Sequence, residues 1–143
     1  LDMDANKRYL GFQDACRRLS VDKPSAVDAA ERQFVRMDYQ ETVAEIFRNH
    51  PDVDGILCSN DVIAAEIIQY CRRHEIDIPG RLKLIGYDDT RFASLCSPQL
   101  TTIHQPVEDI CRYAVESILH ASSGWVVPTC AVFPVTLVTR ETT

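Results

Sequence analysis

Two hydrophobic periods alternate along this chain, and that alternation constrains its fold more than any single motif. Residues 5–19 set Tyr9, Leu10, Phe12, Cys16 and Leu19 among Lys7, Arg8, Arg17 and Arg18, an amphipathic helical spacing that Gly11 weakens. Residues 41–49, with Val43, Ala44, Ile46 and Phe47 on one side, predict a second helix that ends at Pro51 and Asp52. Ile63, Ile67 and Cys71 predict a third over 61–74. The clearest helix covers 106–121, where Val107, Ile110, Cys111, Ala114, Val115, Ile118 and Leu119 form one stripe. Between these helices lie short apolar runs at 53–58, 82–87 and 100–103, the signature of buried strands. Residues 34–37 read as a further short strand and 20–31 as a polar loop. Residues 131–133 and 135–139 read as closing strands broken at Pro134. Helices alternating with short apolar strands predict an α/β fold with a mainly parallel sheet.

Composition narrows the function. Of the 143 residues, 45% are hydrophobic, enough for a packed core and too many for a disordered tail. The net charge of −6 argues against this stretch gripping nucleic-acid phosphates itself. Six cysteines are scattered without a Cys-x-x-Cys pair, which fits buried thiols in a reducing cytosol better than a disulfide framework. No apolar run is long enough to span a bilayer and no signal peptide is present, so no membrane partner is expected. Four histidines are dispersed, and Cys71-x-x-His74 lacks a second ligand pair, so neither metal nor cofactor is expected. No Gly-rich phosphate loop, nucleophile elbow or nucleophile–base set occurs, and the chain does not read as an enzyme.

Ligands of open α/β sheets bind beyond the carboxyl ends of the strands. Two such ends carry polar residues here: run 53–58 leads into Ser59-Asn60-Asp61, and run 82–87 into Asp88-Asp89-Thr90. Asn60 offers donors and an acceptor, and Asp88 accepts from two hydroxyls, which suits a polyhydroxylated ligand. Spacing alone favours the plainer reading of the same residues as a helix cap and a turn.

Ile85-Gly86-Tyr87-Asp88-Asp89 followed by Pro98-Gln99-Leu100-Thr101-Thr102-Ile103-His104-Gln105-Pro106 resembles the effector domains of LacI-type bacterial transcriptional regulators. Ile56-Leu57-Cys58-Ser59-Asn60-Asp61-Val62-Ile63-Ala64 is similar to that family's strand-to-helix junction. Arg8-x-x-Gly11-Phe12-x-x-Ala15 resembles its first helix, and Leu137-Val138-x-Arg140-x-Thr142-Thr143 its closing strand. These matches are collinear and cover nearly the whole chain.

The resemblance implies a three-layer αβα fold of the type I periplasmic-binding-protein kind, incomplete here, with two subdomains around a cleft. It implies that residues 1–104 are the C-terminal subdomain without its first strand, 105–134 a segment of the N-terminal subdomain, and 135–143 a return strand. It implies effector contacts at Arg8, Asn60, Asp88 and Gln105, with Asp61 capping a helix and Asp89 either serving the turn or supporting the contact residues from behind. The expected partners are a sugar or sugar-phosphate effector, a second copy of the chain, and operator DNA through an N-terminal head absent here. Subunit contacts are implied at Val62 and at Phe92, Leu95 and Cys96, in a segment that otherwise reads as loop. The alternative for Phe92 and Leu95 is packing into the chain's own core. Such a repressor is cytoplasmic. A periplasmic sugar-binding protein of a transporter shares the fold, but the unpaired cysteines and the closing motif favour the repressor.

Overall fold

The computed structural model describes residues 3–21, 39–124, 126 and 128–143. The strand expected at 34–37 and most of the loop expected at 20–31 lie outside them. Contacts divide the chain into two compact units, Leu1–Asp52 and Val53–Thr143.

In the first unit, α1 (Met3–Arg18) runs straight through Gly11, where an added Cβ would meet nothing. Asp14 pairs with Arg18 at 2.8 Å one turn on, and Gln13 donates to the Tyr9 hydroxyl at 2.7 Å. Helix α2 (Gln40–Asn49) buries Thr42 and Val43, and Pro51 follows its end.

The second unit is built on a four-stranded sheet: β1 (Gly55–Leu57), β2 (Lys83–Asp88), β3 (Thr101–His104) and β4 (Thr136–Val138), in that spatial order. The first three strands are parallel, and β4 runs antiparallel to β3. Helix α3 (Asp61–Arg73) makes the crossover from β1 to β2 and packs on β2. Its apolar positions Ala64, Ile67, Ile68 and Cys71 are buried together with Leu82, Leu84 and Leu100. Arg72 and Arg73 occupy its last turn, where positive charge complements the helix dipole.

The short helix α4 (Arg91–Leu95) stands where the sequence reads as loop. Five residues are too few to display a helical period. Helix α5 (Val107–Ser122) has the expected span but buries no residue; Val107, Val115, Ile118 and Leu119 are all exposed. The expected strand at 131–133 is not formed. That stretch is irregular between Pro128 and Pro134, and β4 starts only at Thr136. Prolines cannot donate to a ladder, and Val132 is left almost fully exposed.

The tail beyond β4 closes the sheet from below. The Thr142 amide carbonyl accepts from Leu84 N at 2.9 Å, its Oγ1 donates to Leu84 O at 2.7 Å, and that same Oγ1 accepts from Thr101 N at 2.9 Å. One fully buried threonine thus bridges β2 and β3 just below the point where their own pairing begins, at Ile85 and Thr101.

Candidate functional site

Because β1, β2 and β3 are parallel, their carboxyl ends share one edge. Asn60 follows β1, Asp88 ends β2, and Gln105 follows β3, where His104 stands in register with Asp88. The Gln105 side-chain amide donates to Asp88 Oδ1 at 2.6 Å, so two of the expected effector contacts touch directly. Asn60 caps α3, its Oδ1 accepting from Ile63 N at 2.9 Å. The capping role weighed from sequence is therefore real. Its Nδ2 still leaves two donors that the cap does not use.

Asp88 and Asp89 both hold positive φ, +108° and +51°. Such conformations cost non-glycine residues about 1–3 kcal/mol each and persist only where the surroundings enforce them. The surroundings here are specific. Asp89 accepts from Arg140 Nη2 at 2.7 Å on one oxygen and pairs with His104 Nδ1 at 3.0 Å on the other. Burial raises the Asp89 carboxyl's pKa, but the hydrogen bonds from Arg140 and His104 outweigh it and hold the group below the usual aspartate value. Arg140 also donates through Nη1 to Leu100 O at 2.8 Å, so one guanidinium fastens the tail to both β3 and the turn.

Asp61 carries more of the site than a helix cap does, which corrects the sequence reading. Its carboxylate is fully buried and accepts from Thr90 N at 2.6 Å, Thr90 Oγ1 at 2.9 Å and Thr102 Oγ1. It ties the start of α3 to the turn after β2 and to β3. Gly86 makes room: a Cβ there would lie 2.3 Å from Asp61 Oδ1 and 2.8 Å from Leu100 Cδ2. Sequence reasoning missed this hub and the Arg140–Asp89–His104 cluster. The one available signal was the Thr101-Thr102 pair inside a strand, two hydroxyls where apolar side chains are the norm.

Arg8 lies on α1 in the first unit and is exposed. Of the residues expected at a subunit contact, Val62 is half-buried at the start of α3, and Cys96 is half-buried just after α4. Phe92 and Leu95 are 58% and 67% exposed, while Ala93 between them is fully buried. They do not tuck into the unit's own core. All six cysteines are free thiols. Burial and then the nearby Asp61 charge push the Cys58 thiol up to about 12, so it stays protonated and is no nucleophile. Among the described residues no group of His, Cys, Asp and Glu is arranged to hold a metal ion. No helix among them is long and apolar enough to cross a membrane.

The periplasmic binding protein-like domain model matches residues 2–143. The chain belongs to that family. Among its members, this domain is 31% identical over 140 residues to the ribose operon repressor of Bacillus subtilis (strain 168), covering 97% of the chain and 42% of that repressor. A LacI family transcriptional regulator from Arthrobacter sp. FB24, solved in complex with lactose, is 32% identical with a TM-score of 0.67, over 75% of the chain and 42% of that protein. The lac repressor dimer solved with operator and the anti-inducer ONPF is 25% identical with a TM-score of 0.82, over 97% of the chain and 48% of its own. The domain therefore corresponds to part of the effector-binding domain of LacI-type regulators, and it spans about two-fifths of the length of the curated relatives it matches.

Proposed function

We propose that this chain senses a sugar for a LacI-type transcriptional repressor, with Arg8, Asn60, Asp88 and Gln105 as the effector contacts. The observation that carries this reading is the shared strand edge. It brings the Asp88 carboxylate and the Gln105 amide within 2.6 Å and sets Asn60 at the end of a neighbouring strand. A carboxylate and two amides offer alternating acceptors and donors, the pattern that vicinal hydroxyls of a sugar satisfy. The relatives support it as well: one is a ribose operon repressor and another was solved with lactose.

Residues 1–104 and 135–143 act in this reading as one subdomain, with 105–134 belonging to the other. The antiparallel pairing of β4 with β3 supports such a return. Operator DNA is contacted by a head outside this chain, consistent with the net charge of −6 here. The sensor works in the cytoplasm as a binding protein without catalysis, and its six free thiols suit a reducing compartment. Titration with D-ribose and with lactose tests the assignment. Asp88→Ala is expected to weaken the sugar that binds by about tenfold or more, the usual loss for a hydrogen bond to a charged group. Equal affinity in parent and variant removes Asp88 from the site.

A further inference from the structure

We propose that Asp89, Arg140 and His104 form a positioning device that holds the Asp88 carboxylate in its binding orientation. This rests on the reading of Asp88 as an effector contact. Three observations lead to it. First, Asp88 and Asp89 hold consecutive positive φ values, +108° and +51°, at the end of β2. Asp tolerates the left-handed value of Asp89, but the +108° of Asp88 lies outside the allowed regions, so something beyond that residue must hold it. Second, the restraints reach the turn from several parts of the fold. Arg140 comes from the tail and His104 from β3, and they meet opposite oxygens of one carboxylate. Asp61 of α3 holds the following residue, Thr90, through both its amide and its hydroxyl. Thr102 Oγ1 accepts from Asp89 N at 3.4 Å. Third, the cluster has an ordered core and an open rim. The Arg140 and Asp89 side chains are 19% and 17% exposed, whereas His104 is 49% exposed.

These positions divide the work. Arg140 reaches two acceptors with two different nitrogens, Leu100 O and Asp89 Oδ1. It thereby registers the turn against β3 as a lysine, with one point of charge, could not. His104 stands in register with Asp88 across the ladder and precedes Gln105, the residue that donates to Asp88. Asp89 and Gln105 therefore grip the Asp88 turn from two sides, and His104 links the two grips. A sugar that engages Asp88 meets a carboxylate already fixed, so little ordering is left to binding.

The test uses the 143-residue chain. Asparagine tolerates a left-handed backbone, so Asp89→Asn removes the charge without changing the local preference. His104→Leu removes the rim contact at an exposed position. His104→Asn keeps a donor where Nδ1 stands. Affinity for D-ribose and lactose is measured beside the three-bond HN–Hα coupling of Asp88, which reports its φ. Asp89→Asn and His104→Leu are expected to weaken sugar binding about tenfold and to shift the coupling, and His104→Asn to restore both. Parent-like affinity and coupling in Asp89→Asn and His104→Leu overturn the proposal. Lost affinity with an unchanged coupling also overturns it, since Asp89 would then act on the sugar directly. If the parent chain binds neither sugar, D-ribose and lactose are not ligands of this chain by itself. The coupling still decides this proposal: a shift in Asp89→Asn supports it, and no shift overturns it.

Discussion

Single residues in this domain take their roles from what approaches them, and Gly86 is the clearest case. Its φ is not left-handed, so glycine is not there for backbone freedom. It is there because a fully buried carboxylate from another element needs the space that a Cβ would fill. Gly86→Ala is therefore expected to destabilise the chain by about 1–3 kcal/mol, as overpacking of a close contact does. Asp61 cannot step aside cheaply, since Thr90 and Thr102 hold both of its oxygens. A urea midpoint equal to the parent's would show that Asp61 relaxes freely. The sequence displays Gly86 and Asp61 plainly but not their contact, because a strand residue and a helix-start residue 25 apart in sequence carry no mark of meeting. The same holds for Asp89 and Arg140. Each stands in a recognisable motif, but nothing in the sequence says that the fold brings them to 2.7 Å.

At the scale of elements, legibility followed length and period. Helices α1, α2, α3 and α5 announce themselves through stripes of two turns or more, and the parallel strands through short apolar runs with turn signals on either side. The five residues of α4 hold no full stripe and read as loop. The run at 131–133 has apolar residues but pairs with no strand among the described residues, and two prolines fence it. The tail is the opposite case. Residues 140–143 read as the end of a return strand, but not for the closure they make: Thr142 is fully buried and completes the β2–β3 ladder with both its backbone and its hydroxyl. Thr142→Val keeps the shape and deletes the hydroxyl, leaving Thr101 N without that acceptor in a site closed to water. Leaving such a group unsatisfied costs about 1–3 kcal/mol. The urea midpoint should fall accordingly while the slope stays that of the parent, because no additional surface is exposed on unfolding. A parent-like midpoint would mean that the backbone bond from Leu84 N carries the closure alone.

For the whole molecule, the order of elements made the α/β class legible, and four collinear motifs pointed to LacI-type regulators. What a chain of this length presents to a second copy is a separate question, and α4 frames it. Phe92 and Leu95 lie outward on either side of buried Ala93, with Cys96 half-buried just after α4 and Val62 half-buried at the start of α3, the helix that α4 packs against. Large apolar side chains exposed in a cluster invite a partner. A two-fold contact would use this same patch on both copies. We expect the chain to dimerise through α4 and the start of α3. Replacing both Phe92 and Leu95 by Ser should then yield a monomer in sedimentation equilibrium, with the far-ultraviolet circular dichroism of the parent, because neither side chain belongs to the core. The exposed α5 stripe of Val115, Ile118 and Leu119 offers a competing surface. It sets exposed apolar side chains on a longer helix, so the two surfaces must be separated by experiment. A double variant that remains a folded dimer rules out α4. Serine at Ile118 and Leu119 should in that event release the monomer, and in the α4 case should leave the dimer intact.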